Sequence, residues 1–303
     1  QERTPVLKKY PSSAKIFLKS NGEAFEVGEI LKQQDLARTL QKISQHGERV
    51  FYRGEIAKAI AKESTKQNGI PSLDDLKKYS VKWREPVYGT FEGYEIMSMP
   101  PPSSGGTHVV EILNILEQDS LKDLGYGSAN SVHLEASAMQ QAFADRASFM
   151  GDPDFLKSIP LKGLTSKSYA RDIRKNISLE KAKKITAVQA GTPQKYESPE
   201  TTNFTIMDSE GNIVVSTQTI NGWMGSGLVV SGTGILLNNE MDDFSAKPGA
   251  SNLYGAVGSM ANAIAPEKTP LSSMAPTIVL KDNKPVMALG APGGTQSHHR
   301  LVI

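Results

Sequence analysis

Apolar residues in the first 200 positions recur mostly at the three- and four-residue spacing of a helix. The clearest stretches predict helices over residues 35–46, 54–69 and 131–150. Ser72 precedes a pair of aspartates and predicts the N-cap of a further short helix. Three consecutive prolines exclude both helix and sheet in residues 99–106, so we expect an ordered loop there. Residues 181–200 are polar and aperiodic, which predicts an exposed connector.

The pattern changes after position 200, where short β-rich runs predict two antiparallel hairpins. The strands are expected at residues 202–207, 213–220, 276–280 and 285–289. If Met207 faces Ile213 across the first turn, residue i lies opposite residue 420 − i. Thr201 then lies across from Thr219. Helices followed by hairpins predict an α/β chain of the layered, α+β kind.

Composition and charge exclude several classes of protein. The 303 residues are enough for one large domain or two ordinary ones. The net charge is +2, from 34 basic and 32 acidic residues, which gives no electrostatic reason to expect nucleic acid as a partner. The longest apolar runs are too short for a transmembrane segment. Because the chain has no cysteine, disulfides, thiolate catalysis and zinc–thiolate sites are excluded.

The familiar catalytic motifs are absent from the sequence. There is no G-x-S-x-G, no H-E-x-x-H and no Walker loop, and the five histidines have no partners at a useful spacing. A hydroxyl nucleophile can do without a histidine when it is the first residue of a chain, since its own α-amine then serves as the base. Thr201 fits that role, because it follows the polar connector and opens a predicted strand. The alternative is a Thr-Thr pair chosen only for β-propensity.

Two polar clusters follow in the second part of the chain. Glu240, Asp242 and Asp243 concentrate carboxylates that suit a substrate ammonium, or else form a solvated acidic loop. Ser272 and Ser273 offer hydroxyl groups to a carboxylate, or else form a turn. Either cluster alone leaves both interpretations open.

Two further features sit close to the predicted strands. Asn221 lies just beyond Thr219 and can donate or accept a hydrogen bond. Gly293 and Gly294 follow the second hairpin, where adjacent glycines let backbone N–H groups approach a developing oxyanion. A simple loop is the other interpretation of the glycine pair.

Six stretches, in this order along the chain, resemble motifs of one enzyme family. They are MPPPSSGG at 99–106, ADRASFMGDPDF at 144–155, the Thr pair at 201–202, LLNNEMDDFSAKPG at 236–249, PLSSMAP at 270–276 and APGG at 291–294. The family is γ-glutamyltransferase, also called γ-glutamyl transpeptidase. The resemblance implies a four-layer αββα sandwich of the N-terminal-nucleophile hydrolase type. It also implies a precursor that cuts itself before Thr201, with residues 1–200 in the large subunit and 201–303 opening the small subunit.

The resemblance implies a role for each candidate residue. Thr201 would be the nucleophile and, through its freed amine, the general base, with Thr219 supporting it. The implied binding residues are Asn221, Glu240 and Asp243 at the donor's α-amino group, Ser272 and Ser273 at its α-carboxylate, and Tyr254 on a lid loop. Gly293 and Gly294 would form the oxyanion hole.

The sequence departs from the family pattern at several positions. Asn203 stands where many members have His, Glu240 where bacterial members often have Gln, and residues 222–224 replace the usual ones, which leaves the donor preference open. The family's carboxylate-binding Arg would lie upstream of Gln1, and family chains continue past the Gly-Gly motif. We therefore expect this chain to be the middle of a longer, secreted or periplasmic protein.

The reaction implied by the resemblance is a two-step acyl transfer. Thr201 would attack the γ-glutamyl amide of glutathione or a relative, and water or an acceptor amine would then take the acyl group. No cofactor or metal is expected. One alternative is a cephalosporin- or glutaryl-type acylase, whose substrate side chain lacks the α-amino group. Burying three carboxylates beside such an uncharged group would be costly, which disfavours this alternative. The other is a non-enzymatic homologue that never matures, which the intact Thr201, Thr219 and Gly293-Gly294 disfavour.

Overall fold

The computed structural model describes residues 2–183, 188, 202–247, 249 and 258–292. The helices are α1 Thr4–Lys8, α2 Pro11–Phe17, α3 Gln34–His46, α4 Glu48–Tyr52, α5 Glu55–Lys66, α6 Leu73–Lys78, α7 Gly105–Leu116, α8 Leu121–Leu124, α9 Ala129–Phe149, α10 Leu161–Leu164 and α11 Lys167–Lys175. The strands are β1 Val87–Phe91, β2 Tyr94–Ser98, β3 Thr202–Met207, β4 Ile213–Gln218, β5 Thr277–Lys281 and β6 Lys284–Leu289. None of the described helices is long and apolar enough to cross a membrane.

The chain forms two compact units that do not follow its linear order. One unit is Gln1–Trp83 with Ile220–Asn239, and the other is Arg84–Thr219 with Glu240–Ile303. Each unit therefore combines chain from before and after position 200.

The first unit packs its helices around a small apolar core. Ile56 and Ile60 of α5 contact Val230, which comes from the later segment. The hydroxyl of Thr39 in α3 donates to the carbonyl of Thr233 at 2.7 Å, in a buried position. These contacts join residues from before and after position 200 within the unit.

The helix boundaries in the first unit agree with the sequence signals. α3 ends at Gly47, whose φ of +66° lies in the region that favours glycine. α6 begins with a capping box, in which the side chains of Ser72 and Asp75 each accept from the other residue's backbone N–H. Both helices confirm the predictions.

The second unit contains a four-stranded antiparallel sheet in the order β1-β2-β5-β6. Two-residue turns join β1 to β2 and β5 to β6, and Glu92, Gly93, Asp282 and Asn283 all have positive φ there. Such turns match the right-handed twist of the strands. β2 pairs with β5, so the centre of the sheet joins segments that lie far apart in sequence.

Helix α7 lies at the centre of the second unit. All of its residues except Leu113 are buried, and its apolar side chains pack on β1 and β2 on one side and on α9 on the other. The sequence analysis did not place α7, β1 or β2, and the predicted loop at 99–106 ends two residues early because α7 begins at Gly105. α7 is almost entirely buried and carries Glu111 and Asn114 among its apolar residues, so no exposed polar face marks it as an amphipathic helix.

Strands β3 and β4 form a separate hairpin with the predicted register. The pairs run from Met207 opposite Ile213 to Thr202 opposite Gln218, so residue i faces residue 420 − i throughout. The turn is held by Asp208, whose Oδ1 accepts the backbone N–H of Asn212 at 2.9 Å. This register is confirmed. Thr201 lies outside the described residues, so its pairing with Thr219 stays a prediction.

Candidate active site

The structure describes six of the ten predicted site residues. Thr201, Tyr254, Gly293 and Gly294 lie outside the described residues. Asn221 belongs to the first unit, and the second unit holds Thr219, Glu240, Asp243, Ser272 and Ser273.

The acidic cluster is a 3₁₀ turn, Glu240–Asp243, and only part of it is exposed to solvent. Asp243 is only 8% exposed, although Asp242 beside it is exposed. Burial raises the pKa of Glu240, and a hydrogen bond with Asp243 opposes that shift. The two carboxyl groups therefore lie together in a poorly solvated place, where a cationic partner would stabilise them.

A buried arginine interacts electrostatically with Asp243. Arg146, near the end of α9, is 3% exposed, and its guanidinium donates from Nε to Ser104 Oγ at 3.1 Å and from Nη2 to the Leu271 carbonyl at 3.3 Å. Burial lowers the pKa of Arg146 to about 10, and the charge of Asp243 opposes the shift. The side chain is therefore a cation at neutral pH. The sequence analysis quoted its motif at 144–155 but gave Arg146 no role.

The serine pair is anchored by the proline-rich loop. The backbone N–H of Ser272 donates to the Pro102 carbonyl at 2.8 Å, and its carbonyl accepts from the N–H of Ser104 at 2.9 Å. A Cβ added at Gly105 would lie 2.2 Å from the Met274 carbonyl oxygen, so the loop and this segment approach as closely as only glycine permits. The predicted loop therefore supports the Ser272–Ser273 segment directly.

The end of α9 fixes the chain that leads into the serine segment. Asp152 is buried, and its Oδ2 accepts the backbone N–H of Thr269 at 2.7 Å. The ammonium group of Lys268 donates to the carbonyls of Ala261 and Ala263, at 2.8 Å each. The contact of Asp152 gives the 144–155 motif a structural role that its sequence did not reveal.

Asn221 is held within the first unit. It is 2% exposed and has a φ of +69°, a conformation that Asn tolerates better than most residues. Its Nδ2 donates to the Asn239 carbonyl at 3.1 Å, and Asn239 Oδ1 accepts the N–H of Gly222 at 2.8 Å. The backbone at Asn221 is therefore fixed by the residue that immediately precedes the acidic turn.

The described residues contain no group of three His, Asp or Glu side chains arranged to hold a metal ion. One unit does provide a buried carboxylate at Asp243 with the half-buried Glu240 beside it, a serine pair and a buried guanidinium. Such an arrangement can bind a ligand through charge and hydrogen bonds.

Solved structures confirm the layered α/β fold of the N-terminal-nucleophile hydrolases. A cephalosporin acylase from Bacillus halodurans aligns over 99% of this chain and 52% of its own, at 27% identity and a TM-score of 0.81. The γ-glutamyltranspeptidase from Helicobacter pylori aligns over 62% of this chain and 54% of its own, at 42% identity and a TM-score of 0.60.

The family model described as gamma-glutamyltranspeptidase matches residues 1–302, so the chain belongs to this family. A glutathione hydrolase proenzyme from Escherichia coli (strain K12) is 47% identical over 291 residues, which cover 96% of this chain and 50% of that protein. An acylase ACY 1 proenzyme from Pseudomonas sp. (strain SE83) is 40% identical, over 90% of this chain and 46% of that protein. The chain spans about half the length of these curated relatives.

Proposed function

We propose that this chain is part of a self-processing γ-glutamyl acyl transferase and hydrolase that acts on glutathione and related γ-glutamyl amides. The observation that carries the proposal is the buried Asp243, which lies beside Glu240 in a unit that also holds Ser272 and Ser273. Membership of the γ-glutamyltranspeptidase family supports it.

Maturation is the first step of the proposed mechanism. The Thr201 hydroxyl attacks the carbonyl of Glu200, and water hydrolyses the resulting ester, which frees the α-amine of Thr201. That amine takes the proton of the hydroxyl in each later attack, because an α-amine titrates at about 7.7–8.0. Thr219 would orient the nucleophile from the opposite strand, in the register that β3 and β4 already follow.

Acyl transfer follows in two steps. The Thr201 oxygen attacks the γ-carbonyl carbon of the donor, and the N–H groups of Gly293 and Gly294 stabilise the oxyanion. The C–N bond then breaks, the amine leaves with the proton held by the α-amine, and an acyl-enzyme remains. Water or an acceptor amine attacks this ester and gives a proton to the α-amine. The ester bond then breaks, the Thr201 oxygen takes that proton and the glutamyl product is released.

Donor recognition depends on the two charges of the glutamyl α-carbon. Asp243, Glu240 and Asn221 are proposed to bind the ammonium group, and Ser272 and Ser273 the carboxylate, while Tyr254 covers the pocket. The burial of Asp243 supports this assignment, since a ligand ammonium would add a positive charge beside a carboxylate that has little contact with solvent.

Two other functions compete with this proposal. An acylase acting on glutaryl side chains is supported by the similarity to the acylase relatives. Its substrate would carry no ammonium group, however, so the substrate would offer no positive charge to Asp243. A homologue that never matures would bind ligands without turnover. It differs from an enzyme in that the peptide bond before Thr201 stays intact.

Maturation of the full-length protein tests the proposal. Intact-mass analysis and N-terminal sequencing should find two pieces, the smaller beginning Thr-Thr-Asn at residue 201. Thr201→Ala should remain one chain and be inactive. Thr205→Ala, which removes an exposed threonine from the same strand, should be cut normally. An uncut wild-type chain that still releases the amine would refute the mechanism.

The location of the protein is proposed from the same family likeness. We place it outside the cytoplasm, secreted or periplasmic. Release of the activity by osmotic shock, while a cytoplasmic marker enzyme stays with the cells, would support this location. Activity found only after cell lysis would contradict it.

A further inference from the structure

One asparagine side chain joins the two proposed donor-binding elements. Asn262 is 4% exposed and ends a short 3₁₀ turn, Met260–Asn262. Its Nδ2 donates to the backbone carbonyl of Asp243 at 2.8 Å, and its Oδ1 accepts the backbone N–H of Leu271 at 2.9 Å. The carboxamide therefore spans from the acidic turn to the residue that precedes Ser272.

The backbone of Asn262 adds a third link to the same place. Its carbonyl accepts the N–H of Ser245 at 2.9 Å, and Ser245 forms a parallel bridge with Ala263. The side chain of Asn262 thus holds Asp243, the last residue of the acidic turn, and its backbone holds Ser245, two residues further on. These bonds restrict movement of Asp243 relative to Asn262.

Arg146 holds the same peptide segment from the other side. Its Nη2 donates to the Leu271 carbonyl at 3.3 Å, while Asn262 accepts from the Leu271 N–H. Both polar groups of Leu271 are therefore bonded to buried side chains, at the position just before the serine pair. The Ser272 backbone is bonded in turn to Pro102 and Ser104.

We propose that Asn262 is a positioning residue for donor recognition, which fixes the distance between the Asp243 carboxylate and the Ser272–Ser273 pair. This inference rests on the proposed function. An α-amino acid carries its ammonium and carboxylate groups on one carbon, so their protein partners must stand at a set separation. A displacement of about 1 Å can cost on the order of 10²-fold in rate.

The test compares two donors that differ only in the α-ammonium group. Wild type and Asn262→Leu, which keeps a similar size but removes both hydrogen bonds, are assayed with a γ-glutamyl and a glutaryl amide of one chromogenic amine. The γ-glutamyl kcat/KM should fall by about 10- to 100-fold, mainly through KM, because both subsites must align. The glutaryl value should change by less than about 3-fold, since that donor has no ammonium group to align with Asp243.

Two further variants separate positioning from general damage. Ser259→Ala removes a 3.2 Å hydrogen bond to Ala261 in the same turn without touching Asp243 or Leu271, and it should keep the wild-type preference between donors. Asn262→Asp retains an acceptor for the Leu271 N–H but loses the donor to Asp243, so its preference should be intermediate. If Asn262→Leu matures poorly, Asn262→Asp gives the same comparison in a variant closer to the native residue.

A double-mutant cycle with Asp243→Asn decides whether Asn262 acts through Asp243. If it does, Asn262→Leu should hardly change the ratio of the two donors once Asp243 is already Asn. Equal losses on both donors, or additive effects on the ratio, would overturn the inference. A wild-type enzyme that releases amine from neither donor would instead refute the proposed function, so the two failures are distinguishable.

Discussion

Replacing Asp243 by Asn removes the charge proposed to bind the donor ammonium while keeping the size of the side chain. Asp243 ends the Glu240–Asp243 turn, and its backbone is fixed by Asn262 Nδ2 at 2.8 Å. The replacement leaves that backbone bond available. The variant therefore changes the charge of the subsite more than its shape.

The burial of Asp243 sets the size of the effect. Because Asp243 is only 8% exposed, its proposed pair with the donor ammonium is largely desolvated. Losing one partner of such a pair costs roughly 2–5 kcal/mol. An exposed pair would contribute at most about 1 kcal/mol. Since 1.36 kcal/mol corresponds to a factor of ten, Asp243→Asn should lower kcat/KM for a γ-glutamyl amide by about 30-fold to several thousand-fold.

The assay uses γ-glutamyl and glutaryl amides of one chromogenic amine at equal concentration. Wild type should prefer the γ-glutamyl donor at least about 30-fold, and Asp243→Asn should lose most of that preference because glutaryl turnover hardly changes. Asp242→Asn is the matched control, since Asp242 is exposed in the same turn. It should change either rate by less than about 5-fold.

Two results would refute this reasoning. Equal rates for both donors on wild type would favour the acylase function, because the ammonium group would then bring no advantage. Equal losses on both donors in Asp243→Asn would show that the variant damages catalysis or folding in general. If Asp243→Asn loses activity on both donors and also loses thermal stability, the cause would be Arg146, because its buried cation would have lost the negative charge of Asp243.

Two further predictions concern the hairpin and the core. Thr219→Ala should slow both self-cleavage and turnover by on the order of 10²-fold, and Thr219→Ser should slow them less. Wild-type rates in Thr219→Ala would contradict the pairing of Thr219 with Thr201. Glu111, 1% exposed on α7, has its pKa raised well above the ordinary value by burial and by Asp145. The folded state therefore keeps a proton that the unfolded state loses above about pH 4.3, and the free energy of unfolding should fall as pH rises from there through the raised pKa. Denaturant titrations between pH 4 and 9 should show this fall in wild type and in Glu95→Gln, an exposed control, but not in Glu111→Gln.

The elements that the sequence predicted well are those with local signals. α3 and α6 have a C-terminal glycine and a capping box, and the β3–β4 register follows from the turn length. These features depend on residues a few positions apart, so one sequence is enough to find them.

The elements that the sequence missed depend on distant partners. α7 is almost entirely buried because β1, β2 and α9 cover it, so its sequence has no solvent-exposed polar face that would mark a helix. Arg146 and Asn262 likewise gain their roles from Leu271 and Asp243, which lie far along the chain or on another turn. The motif at 144–155 marked the right segment without indicating what its arginine contacts.

The contacts that build the proposed donor site also bear on the order of maturation. β2 pairs with β5, and Arg146 bonds to Leu271, so chain from before position 200 holds chain from after it. The proposed cleavage before Thr201 would break one peptide bond and would leave these contacts in place. Asp243, Ser272 and the β3–β4 hairpin belong to the unit that these contacts hold together. We therefore propose that the uncut chain folds before self-cleavage, and that the cut adds a catalytic amine to the proposed donor site.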